Sequence, residues 1–314
     1  MSRVVLLATS SISVGIGGVV GLNYEAWKSE RSKSSRHTDG TPDFLTRLAL
    51  PIVSAATTPL PPGSNLPTEY KAEVAPSRSS DIMKHGFPGF DNIRSYGDYV
   101  LSYDQRNRTA HWVFEHLTRD KVSRREGVKR EESKFQEDTT IHAYFRATNE
   151  DYHKSGYDRG HLAAAGNHRF SQKAMNETFY LSNISPQVGK GFNRDAWNLL
   201  EKFVRHLTKK YTNVYVCTGP LYLPRPEVDG KLYVKYEVIG KNHVAVPTHF
   251  FKVVVMERDV GQYEMMSFVM PNQALGEKID LKQYLVPLDT IERASGLLFF
   301  QKIPKNAFKK INGR

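Results

Sequence analysis

A chain of 314 residues has room for one large domain or two modest ones and can bury a core of ordinary size. Its 44 lysines and arginines against 33 acidic residues leave a net charge of +11, which favours an anionic partner, nucleic acid or an anionic membrane surface, without choosing between them. The single cysteine, Cys217, excludes an internal disulfide and a cysteine-rich zinc site.

Residues 4–22 form an uncharged apolar run, preceded only by Arg3 and followed by Trp27, Lys28 and the basic, serine-rich SERSKSSRH. We read residues 1–37 as a targeting or membrane-anchor segment. The run is barely long enough to span a bilayer, so a cleaved presequence, an inner-membrane anchor and a secretory signal all stay open. The lack of disulfides favours mitochondria over secretion. Residues 38–80 are rich in Pro, Ser and Thr, and Pro59, Pro61, Pro62 and Pro67 deny them helix or ladder hydrogen bonds, which predicts a flexible linker.

The globular part is expected over residues 81–314. Tyr99 to Tyr103 and Thr109 to Leu117 read as strands joined by a polar turn, a β-hairpin. Residues 118–138 are almost wholly charged and read first as a solvated surface loop, although Arg124, Arg125, Lys129 and Arg130 have the charge to line a phosphate track. In Tyr157 to Ala163, an acid, a guanidinium and an imidazole surround Gly160, which predicts a tight backbone turn that presents His161. From Asn193 a helix opens, with Ala196, Leu200, Phe203 and Leu207 at helical spacing. Further strands are expected over Val214 to Thr218, Leu232 to Ile239, Val244 to Met256 and Tyr263 to Met270, with Gly219-Pro220 and Pro271-Asn272 as punctuation. Cys217 then sits in a buried strand as a small hydrophobe. A helix over Asp289 to Ser295, with Asp289 at or near its N-cap, precedes a basic tail from Lys302. This order predicts a mixed α+β domain on a largely antiparallel sheet.

Individually the polar residues have plain readings. An Asn before a helix, such as Asn193, is usually a cap; Glu201 reads as solvent-facing and Asn183 as a turn residue. Trp197, Leu200 and Phe203 read as core. Together they carry more. DRGH at 158–161, then FYLSNISPQ at 179–187, then the N-x-x-x-W-x-x-x-E run from Asn193 to Glu201 resembles the DNA/RNA non-specific endonucleases of the ββα-metal type. The resemblance extends from about Asp81 to the C-terminus, through GFPGFDNIRSYGDYVLSYDQRNRTAHWVFEHL and VCTGPLYLP.

It implies a ββα-metal active-site motif and a nuclease cutting both DNA and RNA. Phosphodiester hydrolysis needs a deprotonated water and positive charge for the transition state and the departing 3′-oxygen. His161 is matched to the first task, as general base near neutral pH. Arg159 either binds a phosphate oxygen or holds a carboxylate, and Asp158 reads as structural. Asn193 fits a Mg²⁺ ligand, since Mg²⁺ accepts one side-chain oxygen plus waters, and Mn²⁺ is an expected substitute. Glu201 is implied to accept hydrogen bonds from the ion's hydration shell, and Asn183 to hydrogen-bond towards the metal helix or the histidine. No cluster of closely spaced carboxylates is present, so one metal is expected. Contacts to phosphate and sugar imply weak sequence preference, 5′-phosphate and 3′-hydroxyl products, and activity that falls with salt.

The resemblance further implies the mitochondrial intermembrane space, release to the nucleus during cell death, and a homodimer, while residues 4–22 leave inner-membrane association open. The expected roles are apoptotic DNA fragmentation or mitochondrial nucleic-acid turnover. Leu162 and the short C-terminus favour the endonucleolytic mitochondrial branch over an exonuclease-like one. Two further readings compete: a basic protein that binds nucleic acid without cutting it, and a membrane-tethered scaffold.

Overall fold

The computed structural model describes residues 78–314 apart from Phe90 and Glu277. The targeting segment and nearly all of the expected linker lie outside these residues. Its last three positions do not: Arg78–Ile82 is a short helix, and Ile82 is fully buried. No helix among the described residues is long and apolar enough to cross a membrane.

The described residues form thirteen strands: β1 (Ile93–Ser95), β2 (Tyr99–Asp104), β3 (Thr109–Leu117), β4 (Tyr157–His161), β5 (Ile184–Val188), β6 (Asn213–Leu221), β7 (Arg225–Pro226), β8 (Leu232–Tyr233), β9 (Val238–Ile239), β10 (Val244–Ala245), β11 (His249–Glu257), β12 (Tyr263–Pro271) and β13 (Phe308–Ile311). Seven build one sheet in the order β1-β2-β3-β6-β11-β12-β13. Every pair in it is antiparallel except β12 with β13. The class is therefore α+β with a largely antiparallel sheet.

Both faces of the sheet are covered, which explains strands that are apolar on successive residues. Leu101, Val113, Val214, Val216, Phe250 and Val254 point to one side, where they meet Phe192, Trp197, Leu200 and Val204. Val100, Trp112, Phe114, Tyr215, Cys217 and Phe251 point to the other, against Ile82, Ile291, Leu297 and Phe299. Cys217 is a fully buried free thiol whose pKa burial pushes well up. It is core, as its apolar neighbours imply.

Several expected boundaries shift for physical reasons. Gly219 and Pro220 lie inside β6; pairing with β3 stops at Thr218, so the missing proline N–H interrupts no ladder on that side. The run from Leu232 to Ile239 has β-formers but only the two-residue pairings β7–β8 and β9–β10, and Leu232, Val234 and Val238 stay exposed. Pro247 lies in the break between β10 and β11. The C-terminal helix is Leu288–Ser295 with Pro287 at its N-cap, while Asp289 lies in the first turn, where its charge suits the positive helix end. Residues 118–138 are more structured than a solvated loop: they contain the helix Arg119–Val122 and the turn Arg130–Glu132, and Val128 packs on Ala165, Met175 and Phe179.

Candidate active site

β4 and β5 form a separate antiparallel ribbon, with Tyr157 opposite Val188 and His161 opposite Ile184. A segment kinked at the non-helical Lys190 and Gly191, Gly189–Trp197, runs from β5 into the helix Asn198–Leu207. Strand, strand and helix follow one another, which is the ββα order.

The backbone at Gly160 is extended rather than turned, and glycine is required there for space. A Cβ would collide with the side-chain amide of Gln187. That close approach carries the strand inward, so His161 is only 8 % exposed. Its ring lies 4.7 Å from the Phe179 centroid and 5.4 Å from that of Phe135. Its Nε2 has no hydrogen-bond partner among the described residues. Burial lowers its pKa to about 3, and the charges of Arg130 and His168 push in the same direction. The imidazole is neutral at pH 7, with a nitrogen free to accept a proton.

Gly191 begins the approach to the helix with φ 85°, and a Cβ there would press on Ala274 at 2.9 Å. Asn193, in this segment, and Asn198, at the start of the helix, both line the cleft. Asn193 is no cap. Its Nδ2 donates to Asp158 Oδ2 at 2.9 Å. A carboxylate can only accept, so the amide must turn its nitrogen to Asp158 and its Oδ1 the other way. Asp158 is held in turn by Arg194, whose Nε and a terminal nitrogen donate at 2.8 and 2.6 Å. Arg194, then Asn193 and Arg159, keep the Asp158 carboxyl below the usual range against the effect of burial.

His161, Arg159, Asn193 and Glu201 all line one cleft of about 280 Å³, together with Arg130, Arg194, Asn198, Ala164 and Ala165. Arg159 is exposed and holds no carboxylate; it donates to Asn149 Oδ1 at 2.6 Å and stacks over Phe135 at 4.3 Å. Its remaining donors are available to an anion. Arg130 sits 5.7 Å from the Phe179 centroid. Each aromatic ring beside the histidine therefore carries an arginine.

Glu201 is half-buried rather than solvent-facing, and burial raises its pKa against the opposing charges of Lys252 and Arg205. Behind it lies a buried charge cluster. Lys252 Nζ donates to Thr218 Oγ1 at 2.5 Å and sits 4.8 Å from the Trp197 ring. Asn167 and His168 both bond Glu115 Oε1, at 2.8 and 3.1 Å, and His168 also meets Asp98 at 3.0 Å.

Asn183 stands apart. It is fully buried, accepts from the Ala163 N–H at 2.9 Å, and donates to the Ala163 and Thr178 carbonyls at 3.0 and 2.8 Å. Its amide is thus spent on the backbone of Ala163, just past His161, and of Thr178, and hydrogen-bonds neither the imidazole nor the helix. Its effect on the site is to fix where the strand ends. Sequence reasoning left Arg130 among four equal candidates and passed over Lys252. A lone lysine inside the apolar run Phe250 to Val255 was the available signal for the latter.

A model of DNA/RNA non-specific endonuclease matches residues 78–306. Endonuclease G, mitochondrial, of Bos taurus is 51% identical over 302 residues, covering 95% of this chain and 94% of that protein. The Caenorhabditis elegans protein of the same name is 54% identical over 240 residues, 76% of this chain and 78% of its own. Among solved structures, the EndoG/EndoGI complex, described as revealing the mechanism of EndoG inhibition, aligns with a TM-score of 0.75 and 59% identity. The alignment covers 76% of this chain and 98% of that one.

Proposed function

The chain belongs to the DNA/RNA non-specific endonuclease family, and from that premise we propose that it hydrolyses DNA and RNA phosphodiesters with His161 as general base and one divalent cation at Asn193. The observation that carries this reading is the pairing, in the wall of one cleft, of a neutral imidazole with an amide whose nitrogen is tied back by Asp158.

The donor set fits a hard cation. Asn193 Oδ1 is a neutral oxygen, and Glu201 offers a carboxylate on the same wall. A bound Mg²⁺, or Mn²⁺ in its place, would supply positive charge at the scissile phosphate and the departing oxygen. The chain's own groups do the rest. Arg130, Arg159 and Arg194 draw the phosphodiester into the cleft and leave the bases unread. The His161 imidazole takes a proton from the attacking water, the new P–O bond forms, the bond to the 3′-oxygen breaks, and the departing oxygen takes a proton from solvent. The products are a 5′-phosphate and a 3′-hydroxyl.

The weak basicity of His161 before substrate binds is consistent with this role. A phosphate seated beside Arg130 offsets the charge that depresses the imidazole and adds negative charge of its own, so proton affinity rises when it is needed. Asn183 acts as a positioning residue through the backbone that follows the histidine.

We extend the reading to mitochondria, as the names of the relatives support, in the intermembrane space or at the inner membrane through residues 4–22. Homodimer assembly, relocation to the nucleus and a part in apoptotic DNA fragmentation or mitochondrial nucleic-acid turnover belong to the same proposal. The test of the activity is incubation of closed circular DNA, linear DNA and RNA with Mg²⁺, followed by end-group analysis. Cutting of all three with 5′-phosphate ends is expected. Failure on closed circles would point to an exonuclease-like enzyme, and 3′-phosphate ends would overturn the assigned direction of attack.

A further inference from the structure

Beyond Glu201, the helix Asn198–Leu207 runs along a second cleft of about 400 Å³. It is lined by Arg119, Arg169, Lys202, Arg205, His206 and Lys209 with no carboxylate in its wall. Among the described residues Arg119, Arg169, Lys202 and Lys209 form no ion pair. Arg205 is held by Asn167 Oδ1 at 3.0 Å. Cations at a helix C-terminus are ordinary on Arg205, His206 and Lys209. That account does not cover Arg119 and Arg169, which come from two other segments and converge on the same space. A cleft lined by one sign of charge focuses the field on an anion.

Two stretches of chain link the wall of this cleft to that of the catalytic one. From Glu201 the helix runs to Leu207, and Lys209 lies just past its C-cap Thr208, an offset of roughly 10 to 12 Å at about 1.5 Å per residue. Residues 164 to 169 likewise run from the wall of the first cleft to that of the second. At about 3.4 Å of rise per nucleotide, that offset corresponds to three or four nucleotides of a strand.

We propose that this cleft is a second subsite for the substrate's sugar-phosphate backbone, gripping phosphates three or four nucleotides from the scissile bond. The inference rests on the nuclease reading above and deepens it: the enzyme favours strands long enough to reach both clefts. Its contacts are cationic and address phosphate, so it adds affinity and salt dependence without base preference.

The test compares the full-length wild type with the double variant Lys202→Glu/Lys209→Glu, both positions being exposed. Substrates are DNA strands of about four and about 20 nucleotides over a range of salt. In the variant, kcat/KM on the long strand should fall about tenfold or more, its ratio to the short-strand value should collapse towards one, and the logarithmic salt slope should flatten by about one to two. Lys202→Arg/Lys209→Arg should restore wild-type behaviour. An unchanged length ratio and salt slope would overturn the subsite, as would equal losses on both strands, which mark a disturbed helix.

Anionic phospholipid vesicles form a control arm: loss of vesicle binding with unchanged long-strand cleavage would assign the cleft to a lipid surface instead. If the wild type cuts nothing, the nuclease reading itself fails. The cleft is then judged by fluorescence anisotropy with the long strand, where a weaker variant supports it and equal affinity overturns it.

Discussion

The Nδ2 of Asn193 donates to Asp158 Oδ2 at 2.9 Å, and this one bond sets the direction in which the amide carbonyl faces. Asp158 precedes the histidine on its strand by three residues, so the strand that carries the proposed base also orients the residue proposed to hold the cation.

Removing Asp158 should therefore weaken cation binding without removing a ligand. In Asp158→Ala the amide is free to rotate, and we expect the Mg²⁺ concentration needed for half-maximal activity to rise about 10- to 100-fold. Activity should recover largely at saturating Mg²⁺. An unchanged metal requirement would show that Asp158 does not orient Asn193.

Gly160 is fixed by space, so its effect should be repairable. Gly160→Ala is expected to destabilise by about 1–3 kcal/mol through overpacking against Gln187. Gln187→Ala in the same chain should return part of that loss, as read by urea unfolding. Additive effects of the two changes would argue against the contact.

Arg130 reaches the cleft from the charged segment 118–138 and forms no close ion pair among the described residues. Arg130→Ala should lower kcat/KM by about 10², and Arg130→Lys should retain more of it. Loss of stability in place of loss of activity would make the residue structural.

His168 offers a pH test of the layer beneath the site. Burial alone would lower its pKa, but hydrogen bonds and charges of Asp98 and Glu115 raise it from 6.5 to about 9. The folded chain therefore keeps a proton that the unfolded chain releases. This stabilisation is complete below pH 6.5, on the order of 3 kcal/mol, declines from there, and is gone above pH 9. In urea unfolding, the stability gap between wild type and His168→Gln should shrink as pH rises from 6 to 9. A gap that widens over that range would contradict the assignment.

The ββα unit was legible because its chemistry is local: DRGH, the Asn183 segment and the Asn193 to Glu201 run lie within 44 residues and keep their order in space. Arg130 was not legible, because nothing among Arg124, Arg125, Lys129 and Arg130 says which one turns inward. That depends on Val128 docking against Ala165, Met175 and Phe179. The buried layer of Lys252, Glu115 and His168 joins residues far apart in sequence, so only sheet register reveals it. Asn183 shows the same limit, since its position is readable but its partners exist only once β4 and β5 pair. The strand expected over Leu232 to Ile239 failed for the opposite reason, local β-propensity without a sheet to join.

The most direct test of the account is nicking of supercoiled plasmid by the wild type and by His161→Ala, each with Mg²⁺ and with EDTA, alongside circular dichroism of both proteins. The wild type should nick only with Mg²⁺, and the folded variant should lose about 10²- to 10⁴-fold in rate. A folded His161→Ala protein that nicks as fast as the wild type would contradict the assignment of the base.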